Sequence, residues 1–234
     1  MILIDADILA YRLGFACNED TEEAALSELD NTIATILVEC GMDAAPYQLF
    51  LTGSTNFRNE IAVTAPYKGT RKAEKPVHFK ALRDHMVNVW GAIVTDGIEA
   101  DDAIATVAST IDDCIMVSID KDFLQVAGTH YNFVKQKFTE VNEWEGLLFL
   151  YTQMLTGDRV DNIKGVAGIG EKKAAKILAD CTTEKELYDA VLAAYDGNVE
   201  LLYENALLLY LRRYDNEVWV DPYTREANGK EAKS

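Results

Sequence analysis

The sequence has 234 residues, 49% of them hydrophobic and only four of them proline, a composition that excludes an intrinsically disordered chain and allows one to two compact domains. Its 22 basic and 39 acidic residues give a formal charge of −17, which argues against a broadly basic surface for a polyanion. No apolar run approaches a membrane span and the start lacks a basic leader, so we expect a cytoplasmic protein without a membrane partner.

Four apolar segments predict the strands of a sheet. MILI starts the chain, and YQLFLT, AIVT and CIMVSI follow, each separated from the next by helix-length sequence. One of the intervening helices is predicted from a capping box at Asp20 and Glu23 to a stop at Gly41. Alternating strands and helices predict an α/β fold with a mainly parallel central sheet and helices on both faces.

The pattern changes after about residue 143, where the remaining segments predict helices alone. We therefore expect an α/β domain over residues 1–142 and a helical region over residues 143–221. The last residues, 222–234, are polar and are predicted to form a frayed tail.

Acidic residues follow three of the predicted strands. Asp5 and Asp7 come after the first strand, Glu99, Asp101 and Asp102 after the third, Asp120 and Asp122 after the fourth, and Asp158 and Asp161 form a further group. Since ligands of open α/β sheets bind beyond the carboxyl ends of the strands, we expect these groups to converge. Converging carboxylates repel one another unless cations bridge them, and an all-oxygen set without His fits Mg²⁺ better than zinc. Two such ions would stabilise the attacking and leaving oxygens of phosphodiester hydrolysis.

Each acidic group also has a structural alternative. Asp101 and Asp102 suit a helix N-terminus through the helix dipole, and Asp120 and Asp122 suit the cap of a turn. Capping preferences alone do not readily place four acidic groups at one edge of a sheet. We therefore prefer the metal-binding interpretation.

The segment TGDRVDNIKGVAGIGEKKAAKIL, residues 156–178, is the most specific signal in the sequence. Its glycines permit a tight turn whose backbone N–H groups approach a phosphate, and the lysines of the following helix add positive charge. A P-loop is a poor alternative, because Glu171 occupies the required Lys position and no strand precedes the loop. A plain packing corner between two helices is the other alternative. The candidate phosphate-binding residues here are Gly165, Gly168, Gly170, Lys172, Lys173 and Lys176.

A second basic stretch lies between the second and third predicted strands. Lys68 and Arg71 are close enough in sequence to hold one phosphate, and Tyr67 could stack on a base. A solvated basic loop is the alternative. The candidate residues of this stretch for contacts to phosphates and bases are Tyr67, Lys68, Arg71, Lys72, Lys75, Lys80 and Arg83.

Together these motifs resemble the five-prime nuclease superfamily, the PIN-like group of flap endonucleases and phage five-prime to three-prime exonucleases, from Met1 to about residue 220. LIDADILAYR resembles the first-strand motif of the family, and NFRNEI with YKGTRK resembles its arch entry. IEADD and SIDKDF resemble its central acids, and GDRVDNIKGVAGIGEKKA resembles its helix-three-turn-helix.

The resemblance implies a metal-dependent, structure-selective nuclease that hydrolyses DNA near free five-prime ends, flaps or nicks, with RNA primers in RNA–DNA hybrids as a further substrate class. It implies two or more Mg²⁺ ions, replaceable by Mn²⁺, and K⁺ at the helix-three-turn-helix, about residues 152–180. A helical arch is implied over about residues 67–90, and a monomer is favoured. The implied catalytic residues are Lys68, Arg71, Asp120 and Asp122, and the implied metal ligands are Asp5, Glu99, Asp101, Asp102, Asp120, Asp122, Asp158 and Asp161.

One departure from the family pattern concerns the end of the second strand. Many relatives carry an Asp there, whereas this chain has Leu51, Thr52 and Gly53. Asp7 either compensates as an additional ligand at the same edge, or one metal ion is held less tightly.

Two other functions fit parts of the sequence. A haloacid-dehalogenase-type phosphatase is indicated by ILIDADIL and GDRVDN, but that motif requires Thr or Val where Leu9 stands, and it explains neither IEADD nor the glycine turn. A non-catalytic DNA-binding accessory protein fits the missing Asp and the acidic composition.

Overall fold

The computed structural model describes residues 1–41, 46–70 and 74–231. Its main sheet has the strand order β3-β2-β1-β4-β5-β6, in which every neighbouring pair is parallel except β5 and β6. The strands are β1 (Ile2–Asp5), β2 (Tyr47–Asn56), β3 (Ile93–Gly97), β4 (Ile115–Val117), β5 (Gly128–Asn132) and β6 (Lys137–Val141). The predicted α/β fold with a mainly parallel sheet is confirmed. The hairpin β5–β6 was not predicted, because GTHYN and KFTEV contain no continuous apolar run.

The helices of the described part are α1 (Ala6–Ala16), α2 (Glu22–Glu39), α3 (Arg58–Ile61), α4 (Phe79–Asn88), α5 (Ala100–Ala108), α6 (Glu143–Thr156), α7 (Glu171–Leu178), α8 (Glu184–Ala194), α9 (Val199–Leu209) and α10 (Pro222–Glu231). Helix α2 starts one residue later than predicted, because Thr21 rather than Asp20 is its N-cap and accepts a hydrogen bond from Ala24 N at 3.3 Å. None of these helices combines the length and the apolar content that crossing a bilayer requires.

Unit 1 comprises Met1–Asn56, Lys72–Asn142 and Arg213–Asp215. Helices α1, α2 and α4 cover one face of its sheet, where Ile4 and Leu49 are fully buried. Helix α5 contacts strands β1 to β4 on the opposite face, toward which the alternate residues Leu3 and Met116 point. Both faces are therefore covered, and the carboxyl ends of β1, β2 and β4 form one edge.

Unit 2 comprises Phe57–Arg71, Glu143–Arg212 and Asn216–Ser234. Residues 57–70, which the sequence assigned to the α/β domain, thus pack with the helices. The prediction of helices alone in this region was incomplete, because β7 (Gly157–Asp158) and β8 (Ile163–Lys164) form a short antiparallel pair. The region predicted as a frayed tail begins with α10, which is held to α8 by hydrogen bonds from Tyr223 to Asp189 and from Arg225 to Glu184.

Candidate functional site

Asp5 is the centre of the acidic edge of unit 1. It ends β1, and its carboxylate accepts hydrogen bonds from Ile8 N at 3.4 Å and from Ser118 Oγ at 3.0 Å. Burial, and then the negative charge of Asp7, raise the pKa of Asp5 to about 7, and the charge of Asp120 adds to the effect. The ionised form of Asp5 is therefore disfavoured unless a cation lies beside it.

Ser118 links Asp5 to the acids that follow β4. Its Oγ donates to Asp5 and accepts a hydrogen bond from Asp120 N at 3.0 Å, and Asp120 Oδ1 accepts one from Asp122 N at 3.0 Å. The sequence analysis missed Ser118. Its place next to β4, beside the end of β1 in the parallel register, was the available signal.

The acids of IEADD lie at the start of α5. Glu99 is the N-cap of the helix and is 7% exposed. Asp102 is fully buried and accepts a hydrogen bond from Glu99 N at 3.3 Å, while Asp101 Oδ1 accepts one from Asp102 N at 2.8 Å. Asp102 therefore caps the N-terminus of α5, as expected if this acid serves the helix rather than a metal ion. A hydrogen bond from Ala100 N to Thr52 Oγ1, at 2.9 Å, fixes this helix start to β2.

Asp7 differs from the other acids, because both of its carboxylate oxygens have strong partners. Oδ1 lies 2.6 Å from Arg83 Nη1, and Oδ2 accepts a hydrogen bond from Thr52 N at 2.9 Å. Arg83 Nη2 also donates to the carbonyl oxygen of Thr52 at 2.6 Å. Asp7 thus stabilises the edge rather than offering a free carboxylate in place of the missing one. Arg83, predicted to contact DNA, is likewise bound within unit 1.

The donor set of the edge suits a hydrated divalent ion. Its side chains offer carboxylate oxygens, which Mg²⁺ prefers while it retains several waters. Among the residues that the structure describes, no three His, Cys, Asp or Glu side chains are close enough together to hold one ion directly. An ion at this edge would therefore be bound by one or two carboxylates and by water.

In unit 2, Asp161 fixes the segment that carries Lys68. Lys68 has a φ of 55°, a conformation that costs energy for a residue other than glycine, and its N–H donates to Asp161 O at 2.9 Å. Its Nζ lies 3.8 Å from Asp161 Oδ2, which also accepts a hydrogen bond from Tyr67 OH at 2.7 Å. Asp158 orders the same loop by accepting hydrogen bonds from Val160 N and Asp161 N.

Two further residues, which the sequence analysis missed, hold this segment against α9. Arg58 is 1% exposed, and its guanidinium donates to the carbonyl oxygens of Leu208 and Tyr210 at 2.9 and 2.8 Å. Glu204 accepts hydrogen bonds from the backbone of residues 63 and 64 at 2.7 and 2.6 Å. The backbone before Lys68 is therefore anchored at several points within unit 2.

The predicted glycine turn joins α6 to α7, and its three glycines differ in backbone conformation and in the space around them. A Cβ added to Gly165 would lie 2.3 Å from the backbone N of Gly157, so these two residues are in close backbone contact. Gly168 has a φ of 76°, whereas Gly170 has an ordinary φ of −107° and open space around it at the N-cap of α7. The side chain of Lys173 donates to Gly168 O at 2.7 Å and so closes the turn.

The remaining predicted basic contacts fall into three groups. Lys172 and Lys176 are exposed on α7. Lys75 lies over the Phe79 ring at 4.9 Å, and Lys80 pairs with Asp84. Arg71 and Lys72 lie outside the described residues.

Only part of the segment predicted as an arch, residues 67–90, could stand away from the core. Helix α4 belongs to the core of unit 1, where Phe79, Leu82 and Met86 are buried. Any arch therefore ends before residue 79.

Comparisons with known proteins agree with this architecture. The family described as "5'-3' exonuclease, N-terminal resolvase-like domain" matches residues 1–149. The chain is 31% identical to a flap endonuclease Xni from a Shewanella species, covering 81% of this chain and 78% of that one. It is 30% identical to a 5'-3' exonuclease of Mycoplasma pneumoniae, covering 83% of this chain and 75% of that one.

Solved structures share the fold. The T5 D15 protein, co-crystallised with metal ions, superposes with a TM-score of 0.67 at 20% identity over 90% of this chain and 89% of that one. A complex of the bacteriophage T5 D15 flap endonuclease with DNA and metal ions gives a TM-score of 0.65 at 20% identity, over 90% and 88% of the two chains. The resemblance to the five-prime nuclease superfamily is confirmed, and the phosphatase alternative is not favoured. The chain therefore belongs to the 5'-3' exonuclease family and is a phosphodiester-hydrolysing nuclease of the flap endonuclease type.

Proposed function

We propose that this nuclease depends on Mg²⁺ and cleaves DNA near free five-prime ends, at flaps and nicks. The observation that carries the proposal is the hydrogen-bonded series of Asp5, Ser118, Asp120 and Asp122 at the carboxyl ends of β1 and β4. A divalent ion beside Asp5 would favour its ionised form, which burial and the charge of Asp7 disfavour by raising its pKa. The related T5 D15 protein was crystallised with metal ions and, in another structure, with DNA.

The residues of unit 1 would hold the ions. Asp5, Glu99, Asp101, Asp120 and Asp122 are the proposed ligands, with at most two of them bound directly to any one ion and the others acting through water, and Asp102 acts through its cap of α5. When bound, divalent ions polarise a phosphoryl oxygen and lower the pKa of water. Asp7 is left out of the proposed set, because Arg83 and Thr52 N occupy its oxygens.

The residues of unit 2 would act on the substrate backbone. Lys68 is exposed over 25% of its side chain and would neutralise charge that develops on the phosphate oxygens, together with Arg71. Its anchored backbone means that little ordering is needed at the moment of reaction. Asp158 and Asp161 are proposed as further metal ligands, with Asp161 also orienting Lys68.

DNA would also be bound by the start of α7. Gly170 leaves space for a phosphate at the positive end of this helix, and Lys172 and Lys176 are exposed beside it. K⁺ at the glycine turn and cleavage of RNA–DNA hybrids are further parts of the proposal.

A cleavage assay on end-labelled oligonucleotides tests this function. Five-prime flap, nicked, gapped and blunt duplexes would be incubated with Mg²⁺, Mn²⁺ or EDTA. We expect cleavage at flaps and nicks with either metal ion, products that carry a five-prime phosphate, and no cleavage in EDTA. Undiminished cleavage in EDTA would contradict the proposal. Binding of DNA without cleavage would favour the accessory protein, and release of phosphate from a phosphomonoester alone would favour the phosphatase.

A further inference from the structure

Arg83 joins three elements of unit 1 at the carboxyl edge of the sheet. It lies on α4 and bonds through Nη1 to Asp7, in the first turn of α1, and through Nη2 to the carbonyl of Thr52, in β2. Its Cζ also lies 5.6 Å from the centre of the Phe79 ring. A guanidinium held by contacts of this kind has a fixed position, unlike a mobile cation on the surface.

The ion pair of Arg83 and Asp7 is partly shielded from solvent and lies close to the other acids of the edge. The side chains of Arg83 and Asp7 are 20% and 23% exposed. Asp5 is the N-cap of α1 and Asp7 lies in its first turn, and Thr52, which Arg83 also contacts, accepts a hydrogen bond from Ala100 N next to Glu99. The cation bound to Asp7 therefore also contributes to the potential at the acidic edge.

Thr52 and Gly53 are the two positions of β2 nearest to this edge, and a carboxylate has no room at Gly53. A Cβ added to Gly53 would lie 2.1 Å from the carbonyl oxygen of Thr95 and 2.6 Å from a carboxylate oxygen of Asp96. At the other position, Thr52 Oγ1 already accepts the hydrogen bond from Ala100 N. At this edge Asp5 ends β1 and Asp120 follows β4, whereas Thr52 of β2 lies beside a guanidinium.

We propose that Arg83, held by Asp7 and Thr52, is a built-in cation of the acidic edge that offsets part of its negative charge and so weakens the binding of divalent ions. In this role Arg83 is a positioning residue that tunes the affinity of the metal site, and Asp7 is its anchor rather than a ligand. The inference rests on the proposed metal site and adds to it the reason for the missing carboxylate.

The sign of the effect separates this role from a purely structural one. Arg83→Gln removes the cation and leaves Asp7 charged, so divalent ions should bind about three- to tenfold more tightly. Asp7→Asn leaves the cation unneutralised, so they should bind about three- to tenfold more weakly. The double variant should return close to the affinity of the unaltered protein. Arg83→Lys keeps the charge and should change the affinity least among the single variants.

Calorimetric titration of the full chain with Mn²⁺, without DNA, measures these affinities directly. Lys185→Gln is the matched control, since it removes one positive charge from a pair with Glu226 in unit 2 and should leave the affinity unchanged. Weaker Mn²⁺ binding by both Arg83→Gln and Asp7→Asn, or no change in either, would overturn the inference. If Arg83→Gln does not fold, the Asp7→Asn variant alone decides, and Mn²⁺ binding by that variant that is tighter or unchanged would overturn the inference. Absence of Mn²⁺ binding by the unaltered protein would instead overturn the proposed function itself.

Discussion

At the scale of the residue, Asp5 is expected to lower the stability of the metal-free fold while it serves the proposed metal site. Its side chain is almost fully buried, and both burial and the charge of Asp7 disfavour its ionised form. A carboxylate in such a place destabilises the metal-free fold, because a buried charge without a cation is costly. The same unneutralised charge is what attracts a divalent ion.

This conflict predicts opposite effects of Asp5→Asn on stability and on activity. The amide keeps the size of the side chain and removes the charge, so at pH 8 the metal-free variant should melt a few degrees higher, about 2–4 °C per kcal/mol. Cleavage should fall by about 10²-fold or more, because a metal ligand is lost. Thermal melts in EDTA and flap cleavage in Mg²⁺ measure the two effects. Asp112→Asn, an exposed acid in unit 1, is the control and should change neither. Lower stability with full activity would contradict this view of Asp5.

At the scale of the element, the sequence predicts what depends on local pattern. The continuous apolar runs predicted β1 to β4, and the acids after them were expected at one edge, where Asp5, Asp120 and Asp122 are indeed connected. The hairpin β5–β6 and helix α1 were missed, because their segments show neither a continuous apolar run nor a clear helical repeat of apolar residues. The bond between Asp7 and Arg83 joins residues 76 positions apart, so no local pattern could predict it.

The turn between α6 and α7 provides a test at this scale. Gly165→Ala should destabilise the loop by about 1–3 kcal/mol, because the new Cβ would overlap the backbone of Gly157 and force it to move. Gly170→Ala is the matched control for stability, since the added Cβ would meet nothing within 4 Å and the backbone there is ordinary. Urea unfolding measures both variants. Equal stabilities would contradict the close contact of Gly157 and Gly165.

At the scale of the whole molecule, a formal charge of −17 has to be reconciled with a DNA substrate. Only nine of the 39 acidic residues belong to the acidic groups of the sequence analysis, whereas lysines are exposed on α7 and in the stretch around Lys75 and Lys80. Binding that relies on such local clusters releases counterions from the DNA, so it must weaken as salt rises. Net charge alone was therefore a poor guide to the partner.

The salt dependence of DNA affinity measures these contacts. The double variant Lys172→Gln, Lys176→Gln should lower the slope of log K against log salt by roughly 1 for each phosphate contact that is lost. Lys185→Gln, on an exposed pair outside these clusters, should leave the slope unchanged. Fluorescence anisotropy of a labelled flap duplex in EDTA gives the affinities. An unchanged slope in the double variant would contradict the proposal that Lys172 and Lys176 contact DNA phosphates.

The central claim, that the acids at the carboxyl ends of β1 and β4 form the metal-dependent catalytic site, is tested most directly by Asp120→Asn. Asp120 is exposed and bonds within its own turn, so the amide should be tolerated by the fold. Single-turnover cleavage of a five-prime flap in Mg²⁺, measured beside DNA binding by the same variant, is the decisive experiment. The account predicts that cleavage is abolished while binding stays within about twofold of the unaltered protein. Cleavage at an unchanged rate in Mg²⁺ would contradict it.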